Sequence, residues 1–166
     1  MNTFAPHAID GYKTGHGPQY PEGTGLVFSN LTARKSRIKE LDHVVYWGIQ
    51  LYIKKYLQED WGKFFAMDKD LAVAKYTRRM DNYVGKGKVN ANYIAALHDL
   101  GYLPLHIKSL PEGSRVSMGV PMFVMWNTHK EFWWLTNYME TLISCVMWGM
   151  ITSATTADRY KRLLTK

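Results

Sequence analysis

The feature that constrains this chain most is a long apolar run from Phe132 to Ile151. A run of this length raises the question of a membrane-spanning helix. Glu140 lies near its centre, however, with Asn137 and Thr141 beside it, and an ionised carboxylate at that depth in a bilayer costs several kcal/mol. We therefore predict a helix buried in the core of a globular protein, and no membrane span.

Composition and charge narrow the class of protein further. At 166 residues, with 46% hydrophobic residues, six Trp and eleven Tyr, the chain is predicted to fold as one globular unit. The net charge of +7 makes nucleic acid, a membrane surface or a phosphorylated small molecule electrostatically plausible as a partner. The densest basic cluster, Arg34-Lys35-Ser36-Arg37 with Lys39, is shorter than a usual nucleic-acid arm. A solvated surface or a phosphate site is therefore favoured over a nucleic-acid interface.

The single cysteine and the N-terminal residues bear on the compartment. Because Cys145 is the single cysteine of the sequence, no intrachain disulfide is possible, which fits a reducing compartment. Its position inside the apolar run predicts a buried structural thiol. Residues 1–6 lack a basic segment followed by an apolar one, so no secretory signal is predicted. We expect a cytoplasmic protein.

The remaining periodicity predicts an α+β fold, with a mixed or antiparallel sheet and several packed helices. The predicted strands cover residues 25–34, 103–110 and 115–126, and the predicted helices cover residues 42–57, 68–84, 90–100, 132–149 and 151–166. Asp42 and Asp68 are predicted N-terminal caps, and Gly101 is a predicted C-terminal cap. Residues 128–131, Thr-His-Lys-Glu, have the sequence of a capping box for the helix that follows.

A search for chemistry finds no self-contained catalytic centre in the sequence. The six His residues lack metal-ligand spacing, and there is no phosphate-binding glycine loop and no nucleophile elbow. The glycine-rich segment over residues 10–25 is the exception, because it concentrates Asp10, Tyr12 and Lys13 shortly before Arg34. Composition alone favours a plain polar surface loop. The alternative is a ligand site in which Tyr12 stacks on an aromatic ring and the Arg34 guanidinium binds phosphate.

Four blocks of sequence carry a family resemblance across nearly the whole chain. In chain order they are Asp10-Gly-Tyr-Lys, Tyr46-Trp-Gly-Ile-Gln, Leu103-Pro-Leu-His-Ile-Lys and Trp134-Leu-Thr-Asn-Tyr-Met-Glu. In identity and spacing they resemble the N-terminal part of nicotinamide phosphoribosyltransferase, a type II phosphoribosyltransferase. One departure is Gly11, where that family usually has Ser.

The resemblance implies a dimeric enzyme that joins nicotinamide to 5-phosphoribosyl 1-pyrophosphate, giving nicotinamide mononucleotide and pyrophosphate for NAD salvage. The opening loop of one subunit is then expected to reach the active site of its partner. Tyr12 is expected to stack on nicotinamide, Asp10 to line its pocket and Arg34 to contact phosphate, with Lys13 a weaker candidate for the same neighbourhood. No cofactor is expected in this chain, and Mg²⁺ is implied with phosphoribosyl pyrophosphate in the complete enzyme.

The resemblance also implies a division of the chain. Residues 1–150 are expected to form the N-terminal α+β domain, and residues 151–166 a helix leading toward a phosphoribosyltransferase barrel that this sequence does not contain. We therefore expect the chain to be inactive alone and to work in a homodimer or with a complementary barrel-bearing chain. Two alternatives stay open: a non-catalytic regulatory module that pairs with a full-length transferase, and a basic nucleic-acid binder.

Overall fold

The computed structural model describes residues 4–165, so Met1–Thr3, which belong to the segment searched for a signal, and Lys166 lie outside the described residues. The strands are β1 (Phe28–Thr32), β2 (His43–Val45), β3 (Leu105–Ser109), β4 (Arg115–Ser117) and β5 (Pro121–Asn127). The helices are α1 (Ile49–Tyr52), α2 (Trp61–Phe65), α3 (Lys69–Val84), α4 (Asn92–Leu100), α5 (Trp134–Tyr138) and α6 (Glu140–Leu164), and a π-helical segment (Ile53–Asp60) joins α1 to α2.

The strands form two antiparallel sheets. One has the order β1-β5-β3, and the other pairs β2 with β4. In the larger sheet Trp126 of β5 pairs with Phe28 of β1 and with His106 of β3, and the three rings stack in a row across the strands. The predicted α+β class with an antiparallel sheet is confirmed.

The core lies between the sheets and the helices and is rich in aromatic side chains. Trp61, Phe64 and Tyr52 are almost completely buried there, as are Leu135 of α5 and Met147 of α6. These side chains bury large apolar areas and dominate the hydrophobic stabilisation. The long helix α6 therefore forms one wall of the core.

Two of the predicted helices are confirmed together with their caps. The Asp68 carboxylate accepts a hydrogen bond from the Leu71 backbone N–H at 2.9 Å, at the start of α3. Helix α4 ends at Gly101, whose φ of 79° is in the left-handed region that glycine adopts without strain. Both signals act within a few residues, which is why the sequence reveals them.

The predicted helix over residues 42–57 is wrong at its beginning and its end. Residues 43–45 form strand β2, the helix starts at Ile49, and it continues through the π-helical segment to Phe65. The start is fixed by Glu112, from the turn between β3 and β4, whose Oε1 accepts hydrogen bonds from the Gly48 and Gln50 backbone N–H groups at 2.9 and 3.1 Å. A cap supplied from so far along the chain leaves no local signal.

The C-terminal half needs three further corrections. The predicted strand over residues 115–126 is two strands, because the chain turns at Gly119, where φ is 82°. The capping box does not form: the Glu131 N–H donates to His129 Nδ1 at 3.4 Å, and the Thr128 N–H donates to the Pro104 carbonyl at 2.8 Å. The helix breaks instead at Met139, and α6 then runs unbroken through Gly149.

Two findings concern the apolar run. Within residues 4–165 there is no helix both long and apolar enough to span a bilayer. Cys145 is exposed, so the prediction of a buried thiol is wrong. The side of α6 that carries Cys145 faces away from the core, whereas Ile143, Met147 and Ile151 face into it.

Candidate functional site

The segment that carries most of the candidate residues folds as two short 3-10 turns, Gly11–Gly15 and Gly17–Gln19. Its own side chains close these turns locally: the Thr14 hydroxyl donates to the Gly11 carbonyl at 2.8 Å, and the Gln19 amide donates to the Gly15 carbonyl at 3.0 Å. We call residues 10–20 the loop. It lies against the end of α5 and the beginning of α6.

Hydrogen bonds join Asp10 to Tyr12 and to Thr141, where the loop meets α6. The Thr141 hydroxyl donates to Asp10 Oδ2 at 2.9 Å and accepts from the Asp10 backbone N–H at 3.1 Å. The Tyr12 hydroxyl donates to the same Asp10 oxygen at 3.1 Å, and this hydrogen bond raises the pKa of Tyr12. The Tyr12 ring is 61% exposed and lies 5.2 Å from the His16 ring. A flat aromatic surface is therefore presented outward from an anchored backbone.

Lys13 plays a different part, because its side chain points inward. It is only 6% exposed, donates to Asn137 Oδ1 at 2.6 Å and pairs with the Glu140 carboxylate. The Asn137 amide nitrogen in turn donates to His16 Nδ1 at 2.9 Å and to the Tyr20 hydroxyl at 3.1 Å. An ammonium group has only donors, so it fixes which end of the Asn137 amide faces it. We call Lys13, His16, Tyr20, Asn137 and Glu140 the anchor network.

A cavity of about 270 Å³ opens under the loop. Aromatic side chains line much of it, including Tyr20, Tyr93 and Trp133, and the Tyr20 and Trp133 ring centroids are 4.9 Å apart. Lys88 and Asn90, from the connection between α3 and α4, also line the cavity. The underside of the loop is thus partly hollow and aromatic, while its upper side carries Asp10 and Tyr12.

Arg34 is not brought together with the other three candidates by any contact within residues 4–165. It follows β1, is exposed, and makes no side-chain hydrogen bond or ion pair with the described part of the chain. Its segment is attached by backbone hydrogen bonds such as that from the Gly119 N–H to the Ala33 carbonyl at 2.8 Å. The guanidinium is therefore free to meet a ligand or another polypeptide.

Gly11 is marked by a close approach of another side chain rather than by an unusual backbone conformation. A Cβ placed on it would lie 1.9 Å from the Tyr83 ring of α3. The ring thus occupies the space that a side chain at position 11 would need. Tyr83 therefore packs directly against the glycine.

Three residues that hold the loop were not among the predicted site residues. Asn137, Glu140 and Thr141 all belong to the apolar run, where they served only as an argument against a membrane helix. Polar side chains within an apolar helix have to find partners, and this signal could have identified them as loop contacts. In residues 4–165, no three side chains of His, Cys, Asp or Glu are grouped as a metal site would require.

Comparison with known proteins places this geometry in a family. The sequence profile described as "Nicotinamide phosphoribosyltransferase, N-terminal domain" matches residues 6–107, which include the loop and Arg34. The chain belongs to the nicotinamide phosphoribosyltransferase family. The resemblance inferred from the four sequence blocks is confirmed.

Two relatives show how much of the family's length the chain covers. It is 51% identical over 166 residues to a nicotinamide phosphoribosyltransferase of Acinetobacter baylyi, an alignment that covers 96% of this chain and 33% of the relative. It is 28% identical over 184 residues to one of Mycoplasma pneumoniae, covering 99% of this chain and 40% of that protein. The chain thus spans about a third of the first relative and corresponds to an N-terminal portion of such enzymes.

A solved structure supports the fold independently of close sequence similarity. The crystal structure of human nicotinic acid phosphoribosyltransferase superposes with a TM-score of 0.59 at 15% identity, over 87% of this chain and 26% of that one. At this identity the likeness concerns the fold alone. It agrees with the N-terminal part of a phosphoribosyltransferase architecture.

Proposed function

We propose that this chain supplies the nicotinamide-contacting loop of a nicotinamide phosphoribosyltransferase. The reaction centre of that enzyme is assigned to the phosphoribosyltransferase barrel, which we call the barrel-bearing portion. In this proposal Tyr12 stacks on the nicotinamide ring, Asp10 lines the ring's pocket and Arg34 contacts phosphate. The substrates are nicotinamide and 5-phosphoribosyl 1-pyrophosphate, and the products are nicotinamide mononucleotide and pyrophosphate. The observation that carries the proposal is the outward ring of Tyr12 on a loop that α5 and α6 hold in place.

The proposed roles of these residues are to orient the substrate and to offset the negative charge of its phosphate groups. An anchored aromatic ring limits the orientations of a flat substrate before the bond to ribose forms. A guanidinium near phosphate offsets negative charge as pyrophosphate leaves. Lys13 is assigned to holding the loop rather than to substrate, because its ammonium is buried between Asn137 and Glu140.

The proposal leaves other parts of the reaction to the rest of the enzyme. Since no acidic or histidine cluster for a metal occurs in the described part of the chain, Mg²⁺ with phosphoribosyl pyrophosphate is assigned to the barrel-bearing portion. That portion belongs to a second subunit of a homodimer or to a complementary chain. A cytoplasmic location is part of the same proposal, and it accords with a lone cysteine left exposed.

The test is a chimera in which this chain replaces the matching third of the Acinetobacter baylyi relative. Tyr12→Ala is expected to lower kcat/KM for nicotinamide roughly ten-fold, because the stacking surface is removed. Tyr12→Phe, which keeps the ring, is expected to retain most of the activity. Tyr102, which is 53% exposed and does not line the cavity under the loop, supplies the matched control Tyr102→Ala. Unchanged kinetics in Tyr12→Ala would reject the assignment.

A second candidate function is regulation of a complete transferase without catalysis. In this function the outward Tyr12 and the loop that α5 and α6 hold in place would contact the complete transferase. The isolated chain is then expected to co-purify with that full-length relative and to change its rate. If mixing leaves the rate unchanged while the chimera is active, the first function stands alone.

A further inference from the structure

Helix α6 has an outward face that carries no charge over most of its length. From Thr141 to Ala157 the sequence contains no Asp, Glu, Lys or Arg. Several of these residues are nevertheless exposed, and Trp148 is 72% exposed. The exposed positions within this stretch are Cys145, Trp148, Gly149, Thr152, Ser153, Thr156 and Ala157. We call these residues the neutral face.

A second helix of the same chain shows how unusual this is. The exposed positions of α3 include Asp70, Lys75, Arg78 and Arg79, as is normal for a helix whose outer side meets water. Depletion of charge together with an exposed Trp is instead typical of the centre of a protein interface. The neutral face therefore has the composition of a surface that another polypeptide covers.

The neutral face is continuous with the loop. Thr141, in the first turn of α6, holds Asp10 through two hydrogen bonds. Trp148 follows seven residues later, about 10 Å along the axis at the helical rise. Toward the other end of the helix Tyr160 and Leu163, 64% and 66% exposed, alternate with the exposed Lys161 and Arg162. A polypeptide that receives Tyr12 thus meets α6 next.

We infer that the neutral face is the docking surface for the phosphoribosyl-binding portion, which makes up about two-thirds of the relative that this chain matches. The inference rests on the proposed function and adds the surface through which the two portions associate. One further observation selects this occupant. The relative that carries this segment at 51% identity is about three times as long as the chain, so a large part of that polypeptide is available to cover the face.

The experiment compares one substitution in two settings, the isolated chain and the chimera with the Acinetobacter baylyi relative. In the isolated chain Trp148→Glu is expected to shift the melting temperature by less than about 2 °C, because the side chain is already in water. In the chimera it is expected to lower the melting temperature by at least about 5 °C, because an unpaired carboxylate is buried there. Leu71→Glu, at a 60% exposed position of α3, is the matched control and is expected to be silent in both.

A second measurement uses only unsubstituted proteins, so it does not require that a substituted variant folds. Maleimide labelling of Cys145, read by peptide mass spectrometry, is expected to be at least ten-fold slower in the unsubstituted chimera than in the isolated chain. Equal labelling, or a Trp148→Glu chimera as stable as its Leu71→Glu counterpart, overturns the inference. So does an isolated chain that forms a dimer with Cys145 protected, since the occupant is then a second copy.

These outcomes are separable from a failure of the proposed function. Melting and labelling are measured without substrate, so they report the interface alone. If Tyr12→Ala leaves the kinetics unchanged while Trp148→Glu destabilises the chimera, the docking surface is right and the substrate contact is wrong. The reverse result rejects the docking surface and keeps the substrate contact.

Discussion

The loop and the segment that carries Arg34 offer substrate groups in two different ways. In the loop, the exposed Tyr12 is flanked by the buried Lys13, and side chains of α5 and α6 hold the backbone from below. Around Arg34 the exposed residues are held only through the backbone and by a local hydrogen bond from the Ile38 N–H to the Ser36 hydroxyl. The first region is held by side chains from a distant part of the chain, whereas the second is held through its backbone and leaves the Arg34 side chain exposed. A substitution in either region should reveal this difference.

The largest effect on folding is expected from Asn137→Ala. It removes one of the two acceptors of the buried Lys13 ammonium and the donor shared by His16 and Tyr20. Breaking such a network is expected to lower the free energy of unfolding by about 2 to 4 kcal/mol. Urea unfolding of the isolated chain measures this decrease in the free energy of unfolding. Asn82→Ala, at an exposed position of α3, is the control, and equal midpoints for the two variants would show that the network does not anchor the loop.

A smaller effect is expected from Thr141→Val, which keeps the shape of the side chain and removes its two hydrogen bonds to Asp10. The loss is expected to be about 1 kcal/mol. Hydrogen exchange should show it as faster exchange confined to residues 10–16. Thr152→Val, at an exposed position of the same helix, should leave that exchange unchanged. Faster exchange spread over the whole domain would contradict a local role.

The smallest effect on stability is expected from Arg34→Ala, with a change within about 0.5 kcal/mol. In the chimera the same substitution is expected to raise the KM for phosphoribosyl pyrophosphate, because the proposed phosphate contact is lost. Arg37→Ala, an exposed charge three residues away, serves as the control for general electrostatic attraction. The contrast between the two regions fails if Arg34→Ala lowers the free energy of unfolding by more than this amount. It also fails if both variants change the KM equally.

The sequence was informative at two helix ends where the structural signal is local, although the equally local capping box at residues 128–131 does not form. The Asp68 cap and the Gly101 terminus act within one turn, and both were predicted correctly. The start of α1 depends on Glu112, whose carboxylate comes from another part of the chain, and the residues just before it pair as β2. The sequence predicts a helix break near Gly149, yet α6 runs through it, because a single glycine lowers helix stability by only about 1 kcal/mol and packing of α6 offsets this loss.

The same distinction holds for the candidate site. Asp10, Tyr12 and Lys13 were identified from their short segment and from the family resemblance. That Lys13 is buried while Tyr12 is exposed depends on Asn137 and Glu140, more than a hundred residues away. Residue identity therefore indicated the type of ligand, and only the fold separates the residues that face outward from those that hold the loop.

The contact between Gly11 and Tyr83 has a consequence for the evolution of the family. Because the Tyr83 ring, which is 64% exposed, occupies the space of a Cβ at position 11, a side chain at that position requires the ring to move. A relative with Ser at the first position is expected to have a smaller or displaced side chain at the second. An alignment of many family members should therefore show these two positions changing together.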